Sequence, residues 1–356
     1  MEQKSVLIGM SGGVDSSVAA ALLKEQGYHV IGATMRLWTY SDSCNMKHEG
    51  CCAESAVEDA RRVCDKLGID FYVMNFKDMF KDKVVDYFVD EYIHGRTPNP
   101  CIACNKYLKF DALLKKALAM GIDYVATGHY AKIEKGEDGK YILRASEAVK
   151  KDQSYVLYNF TQEQLAHTLM PLGGYNKDWV RQKAEELGLG VAHKPDSQEI
   201  CFVEDDDYAK FITDYSGYKP KEGDILDVNG NVIGRHRGLI YYTIGQRKGI
   251  GAYGRPMFVM KIDAENNTIT LGEKGMEFSN ELTAYDVNFV SGEFPKENML
   301  ITAKVRYQAP PAAAMLCPQK DGTVKLMFPE PQRAVTPGQA VVFYDGDIVL
   351  GGGTVL

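Results

Sequence analysis

The sequence predicts an α/β fold in which a doubly wound parallel sheet is followed by two small β-rich, barrel-like domains. Three observations carry this expectation. Short apolar runs alternate with helical segments over about the first two hundred residues, a glycine- and serine-rich turn separates the first run from the first helix, and from about Gly223 the pattern changes to short strands joined by turn pairs.

Residues 6–10 form an apolar run of strand length, 14–26 an Ala/Leu-rich helix, 30–35 a second strand and 54–67 an amphipathic helix. A third strand is expected at 71–74, helices at 81–92 and 106–120, and a further strand at 124–128. Strands separated by helices imply right-handed crossovers, and such sheets take their ligands beyond the carboxyl ends of the strands. After Gly223, strands are expected at 224–228, 232–234, 258–263 and 268–271, with turns at Asn229-Gly230 and Asn266-Asn267. A second group, at 300–305, 324–327, 340–344 and 348–350, follows Phe278. The expected division of the chain is therefore 1–205, 206–275 and 276–356.

At 356 residues, 45% hydrophobic and 25% charged, the chain has the make-up of a globular protein of two or three domains, which excludes a disordered or fibrous one. The amino terminus enters the 6–10 run without a basic flank or cleavage site, and no apolar stretch approaches the roughly 20 residues that span a bilayer. A cytoplasmic protein with no membrane partner is expected, and its eight cysteines are then thiols, metal ligands or catalytic groups rather than a disulfide framework. The net charge of -7 argues against a protein that coats nucleic acid by bulk attraction, while leaving room for a local basic face.

The turn after the first strand reads Ser11-Gly12-Gly13-Val14-Asp15-Ser16. Its glycines let backbone amides approach an anion, its serines add hydroxyl donors, and the following helix turns its positive end to the same place. No Gly-Lys-Ser/Thr follows and the Gly-x-Gly-x-x-Gly spacing is absent, so neither the Walker loop nor the dinucleotide fingerprint fits. The pattern resembles the PP-loop of the N-type ATP pyrophosphatases, which cleave ATP between the α and β phosphates and transfer AMP to activate an oxygen. That resemblance implies an ATP site over Gly9, Met10, Ser11, Gly12, Gly13, Val14, Asp15 and Ser16, with Mg2+ near Asp15.

Cys101 and Cys104 lie in Thr97-Pro98-Asn99-Pro100-Cys101-Ile102-Ala103-Cys104-Asn105, a proline-stiffened loop entering a helix whose first turn is expected to hold Cys104. A helix amino terminus raises the thiolate fraction of a cysteine. Cys201 stands at the end of the α/β region. A thioredoxin-like redox pair lacks its strand–helix context here, and a zinc site lacks a second Cys-x-x-Cys or His pair at ribbon or finger spacing. Cys64, inside a helix, and Cys317 read as ordinary buried cysteines, and Cys44, Cys51 and Cys52, with His48 nearby, as incidental to a polar loop. Sulfur chemistry is the remaining reading for Cys101, Cys104 and Cys201.

The Ser11–Ser16 loop, the 95–105 segment, Thr127-Gly128-His129-Tyr130, Lys151-Asp152-Gln153-Ser154-Tyr155, Ser197-Gln198-Glu199-Ile200-Cys201-Phe202, Gly245-Gln246-Arg247-Lys248-Gly249 and Val305-Arg306-Tyr307 together resemble the bacterial tRNA 2-thiouridylases, over essentially the whole chain. The resemblance implies a tRNA-uridine sulfurtransferase that adenylates the C2 oxygen of a uridine, expected at the wobble position of lysine, glutamate and glutamine tRNAs. It implies that Cys201 carries a persulfide received from a cysteine desulfurase or a sulfur-relay protein. Cys104 then cleaves the S–S bond, leaving a Cys104–Cys201 disulfide to be reduced. It places target-base contacts at Asn99, Pro100 and Cys101, tRNA contacts at His129, Lys151, Asp152, Gln153, Tyr307, Gln308 and Gln339, and the adenine pocket at Met35 and Gly128. Part of the family has an aspartate at the position of Cys101, and an iron–sulfur cluster held by Cys101, Cys104 and Cys201 is the alternative sulfur carrier.

An RNA substrate calls for a local basic face, for which Lys150 with Lys151, Arg235-His236-Arg237, Arg247-Lys248 and Arg306 beside Tyr307 are the candidates. The target base must be extruded into the cleft. Two further readings compete: a PP-loop amidotransferase or ligase, which needs no cysteine trio, and a non-catalytic RNA-binding protein, against which the intact loop and the Cys104 and Cys201 pair argue.

Overall fold

Five parallel strands build the first sheet, and helices cover both of its faces. The computed structural model describes residues 3–38, 54–195, 200–203 and 206–356. The strands are β1 (Ser5–Gly9), β2 (His29–Arg36), β3 (Asp70–Asn75), β4 (Tyr124–Ala126) and, after two strands that belong elsewhere, β5 (Ala131–Lys135) and β6 (Tyr141–Ala145), the short β7 (Thr168–Leu169). Their order is β3-β2-β1-β4-β7, a doubly wound arrangement as expected. β1 is apolar throughout because both of its faces are buried: Val6 and Ile8 enter one core and Leu7 the other, all fully inaccessible. The first core is closed by α1 (Val14–Glu25) and α2 (Glu54–Leu67).

The second core is closed by two helical stretches that each change pitch. α3 (Lys77–Phe80) runs through a π-helical segment, Lys81–Asp86, into α4 (Tyr87–Ile93). α5 (Pro100–Ala103) runs through another, Cys104–Ala112, into α6 (Leu113–Ala119). Wide turns of this kind are rare and concentrate at functional sites. The α/β part is completed by α7 (Gln162–Ala166) and α8 (Lys177–Glu186), and α9 (Tyr208–Ser216) leads out of it.

β8 (Gly223–Leu226), β9 (Val232–His236), β10 (Met257–Asp263) and β11 (Thr268–Glu273) form a four-stranded sheet of order β10-β11-β8-β9. β12 (Phe278–Phe289), β13 (Met299–Lys304), β14 (Ala312–Pro318), β15 (Val324–Arg333), β16 (Ala340–Asp345) and β17 (Ile348–Val355) follow in the order β12-β15-β14-β13-β16-β17, and pairing of β12 with β17 closes them into a barrel. The β5–β6 hairpin extends this sheet through Arg144 opposite Ile348, so residues from the α/β part contribute to the carboxyl-terminal sheet.

Five strands here, β5, β6, β7, β12 and β14, are absent from the sequence reading. β12 is bulged between Ser279 and Glu281 and again between Tyr285 and Asn288, where Asp286 takes φ 47°, so its side chains do not alternate cleanly. β14 begins on Ala312-Ala313-Ala314, which carries no β preference of its own and is held by its partners β13 and β15. The β5–β6 hairpin, with Lys132, Glu134 and Lys135 on it, is likewise made by its packing.

Candidate active site

The loop from β1 to α1 is held open by its neighbours. Gly12 takes φ 69°, and a Cβ there would lie 2.2 Å from the backbone oxygen of Ala56 at the start of α2. Only glycine satisfies both constraints. Gly13 takes the amino-terminal cap of α1 in an extended conformation. Ser16 Oγ accepts from the Ser11 N–H at 3.2 Å and donates to the Gly13 oxygen at 3.2 Å, while Ser17 Oγ donates to the same oxygen at 2.8 Å. Met10 is buried and fixed to β2 by its N–H on the Ala33 oxygen and its own oxygen on Thr34 Oγ1. The result is a glycine cradle at a helix amino terminus, which fits a polyphosphate.

Two lysines enter this cradle that the sequence reading passed over. Lys177, in the first turn of α8, reaches both Asp15 carboxylate oxygens at 2.8 Å, and Tyr130 Oη donates to Asp15 Oδ1 at 2.7 Å. Asp15 therefore ties α1 to α8 and to Tyr130. Lys194 Nζ donates to the Gly12 oxygen at 3.1 Å and pairs with Asp59 of α2 at 2.8 Å. A hydrogen bond from a cation to the outward carbonyl of the Gly12–Gly13 peptide fixes that plane, and with it the opposite-facing N–H of Gly13.

The segment after β4 joins this cradle to the cysteine helix. Gly128 lies against the first turn of α1, where a Cβ would come within 2.7 Å of Ser16 N, so it packs on the loop rather than merely bordering an adenine pocket. His129 Nδ1 shares a hydrogen bond of 2.7 Å with Thr127 Oγ1, and its ring stands 5.8 Å from that of Phe110 on the cysteine-bearing helix. Burial first, and Lys109 second, hold its pKa well below the ordinary histidine value, so it is neutral at pH 7. Tyr130 exchanges backbone and side-chain hydrogen bonds with Gln153, linking Asp15 on one side to residues 151–153 on the other.

Asn99 caps α5, its Oδ1 accepting from the N–H groups of Cys101 at 3.1 Å and Ile102 at 3.4 Å, with Pro100 at the first helical position. Cys101 thus occupies the first turn and is exposed, whereas Cys104 begins the π-helical segment one turn later and is buried. The expectation that Cys104 sits in the first turn is corrected accordingly, because the cap falls at Asn99. Cys201 is exposed next to Phe202, whose buried ring packs on Phe80, Phe88 and Phe211 and pins this segment to the core that also contains Cys104. Cys64 is buried and its thiol is pushed up to about 12 by burial and by Asp65, an inert core cysteine. Among the described residues no group of three His, Cys, Asp or Glu side chains is arranged to hold a metal ion. Cys44, His48, Cys51, Cys52 and Ser197 to Glu199 lie outside the described residues.

The carboxyl-terminal barrel borders the same helix. Tyr307 Oη donates to the Asp152 oxygen at 3.1 Å, and the Asp152 carboxylate accepts from Ser146 N, Ser154 N and Ser154 Oγ. Gln339 Nε2 donates to the Thr97 oxygen at 2.8 Å while Thr97 N donates to the Pro337 oxygen, so Gln339 holds the strand of chain that leads into Asn99. Lys151, Asp152 and Gln153 are half-buried and Gln308 is exposed. Met35 sits near the carboxyl end of β2, opposite Met74. The Arg235-His236-Arg237 cluster does not survive as a basic face: Arg235 pairs with Asp224 at 2.8 Å, His236 is buried on the Asn267 oxygen, and Arg237 stacks 4.0 Å from the Tyr241 ring centroid. Replacing Asn99 with alanine removes the cap, and denaturant unfolding should register a loss of about 1 kcal/mol.

Comparison with known proteins decides the family. Residues 4–205 match the tRNA methyl transferase HUP domain, 209–273 the tRNA methyl transferase PRC-barrel domain and 279–355 the aminomethyltransferase beta-barrel domain. The chain is 59% identical, over 100% of both chains, to tRNA-specific 2-thiouridylase MnmA of Acetivibrio thermocellus. It is 58% identical to that of Clostridioides difficile, over 99% of this chain and 98% of the relative. The chain belongs to the tRNA-specific 2-thiouridylase family. Within that family's frame, the additions from the structure are Tyr130, Lys177 and Lys194. Tyr130 lay within the Thr127–Tyr130 segment quoted above, and of the two lysines only Lys177 had a sequence signal, the Asn176 helix cap whose Oδ1 accepts from Trp179 N. Among the described residues no helix is long and apolar enough to cross a membrane.

Proposed function

We propose that this chain converts a tRNA uridine to 2-thiouridine by adenylating its C2 oxygen with ATP and then delivering sulfur from a cysteine persulfide. The observation that carries the reading is the short Thr127–Tyr130 bridge, which packs Gly128 on the nucleotide loop and sets His129 against the helix that bears Cys104. An activated oxygen formed at the loop is thereby brought towards the thiols.

The uridine C2 oxygen attacks the α-phosphorus of ATP, the α–β bond breaks, and pyrophosphate departs at the Gly12–Gly13 cradle. The C2 centre now carries AMP, a far better leaving group than oxide. The terminal sulfur of a Cys201 persulfide attacks C2, AMP leaves, and the base is joined to Cys201 through a disulfide. The Cys104 thiolate attacks the Cys201 sulfur of that bond, so the second sulfur stays on the base as the thiocarbonyl and a Cys104–Cys201 disulfide forms. An external dithiol returns the two electrons. This last exchange requires the two α-carbons to come within about 6 Å at that stage. The exposure of Cys201 suits loading by a cysteine desulfurase or relay protein, and the burial of Cys104 suits a thiol reserved for the bound intermediate.

Protein purified without oxygen, given unmodified tRNA, ATP, magnesium, a cysteine desulfurase and cysteine, should produce 2-thiouridine in digests of the RNA, and only when ATP is present. Pyrophosphate release and tRNA binding without thiouridine, under conditions where the desulfurase has loaded Cys201, would remove the sulfur-transfer reading. The individual substrates are expected to be the lysine, glutamate and glutamine tRNAs, tested by the same digest on each purified species.

A further inference from the structure

Lys304 ends β13 with Ala303 and Val305 buried on either side of it, so the pleat turns its side chain away from the barrel core. The ammonium lies 5.9 Å from the ring centroid of Tyr155 and 5.8 Å from that of Tyr307, two rings themselves 5.7 Å apart. Among the described residues it has no hydrogen bond and no ion pair. The charge that attracts it is Asp152, whose carboxylate is already engaged by Ser146 and Ser154. A half-buried cation without an acceptor is costly, and the two aromatic faces offset only part of the lost hydration. Burial lowers its pKa from the ordinary lysine value, as expected of a cation waiting for an anion.

Its surroundings say which anion. Tyr307 is exposed, hydrogen-bonds to residue 152 and stands within electrostatic reach of Cys101, the exposed cysteine of the α5 first turn. Lys304 is therefore set behind a ring that a base can stack on, beside the cysteine helix. An ammonium is a compact point charge suited to a phosphate oxygen rather than to the directional edge of a base. We propose that Lys304 contacts the tRNA backbone, donating to a phosphate oxygen next to the extruded uridine. This inference rests on the reading of tRNA as the substrate.

The test measures binding of unmodified tRNA by fluorescence anisotropy at several salt concentrations, for the wild type and for Lys304→Met, Lys304→Gln and Lys304→Arg. Each neutral variant should lose about one phosphate's share of the salt slope, roughly 0.7 to 0.9 in log K against log salt, so that its deficit shrinks about threefold between about 50 and about 200 mM salt. Lys304→Arg should keep the wild-type slope. Unchanged ATP binding and an unchanged melting midpoint certify the neutral variants as folded, and either one suffices. A neutral variant with the wild-type slope overturns the proposal, and so does weakened binding at constant slope, which would place the ammonium on a base. A wild type that binds no tRNA overturns the substrate reading itself, an outcome distinct from both.

Discussion

Cys201→Ser and Cys104→Ser should both reduce 2-thiouridine formation by roughly a thousandfold or more, yet fail at different steps. Cys201→Ser has no sulfur to carry: incubation with a desulfurase and radiolabelled cysteine should leave it unlabelled. Cys104→Ser should accept the label, react once, and stop with the base joined to Cys201 through a disulfide, because nothing remains to attack it. That species is a protein–tRNA adduct visible on a non-reducing gel and released by dithiothreitol. Both variants should release about one pyrophosphate per active site and then stall, since adenylation precedes the sulfur step. The difference in setting supports the difference in role. Cys201 is exposed on a segment pinned by Phe202, open to a donor protein, while Cys104 is buried where α5 widens into its π-helical continuation. Wild-type turnover in Cys104→Ser would exclude it as the resolving thiol, and a Cys201→Ser protein that still took up label would move the carrier elsewhere.

What was legible in the sequence was whatever is encoded locally. The apolar run that becomes β1, the glycines of the nucleotide loop and the Asn99-Pro100 helix start each carry their geometry in their own residue types. Sequence also placed the two thiols of interest, though one turn too early for Cys104, because the asparagine cap decides where the first turn begins. Tertiary partners were not legible. The Lys177–Asp15 pair joins residues 162 positions apart, the Lys194–Gly12 bond 182, and the Gln339–Thr97 bond 242. Apart from the helix start that Asn176 marks beside Lys177, nothing in the local sequence distinguishes either lysine from a solvated one. The same blindness ran the other way at Arg235-His236-Arg237, where a local cluster of positive charge proved to be one ion pair, one buried ring and one stacked guanidinium. Bulged β12 and alanine-rich β14 are strands by virtue of closing the barrel.

The two loop glycines should separate the demands of the fold from those of the ligand. At Gly12 the protein itself forbids a side chain: φ is 69°, and a Cβ would sit 2.2 Å from the backbone oxygen of the buried Ala56. The left-handed conformation alone costs an L-residue about 1–3 kcal/mol, and the clash adds to it. Gly12→Ala should therefore lower stability by about 3 kcal/mol or more and lose ATP binding with it. At Gly13 the φ is -106° and the nearest atom to a Cβ is Ser11 Oγ at 3.4 Å, so the apo protein can accept an alanine. Gly13→Ala should melt close to the wild type. If its N–H lies against the pyrophosphate, as the Lys194 hydrogen bond to the preceding carbonyl implies, the methyl group crowds the anion, and ATP affinity should fall by about tenfold or more despite the intact fold. Calorimetric titration with a non-hydrolysable ATP analogue, alongside denaturant unfolding, reads both quantities. A Gly13→Ala protein that binds nucleotide as the wild type does would mean that the anion rests on the hydroxyls and the helix end instead, and the positioning role of Lys194 would fall with it.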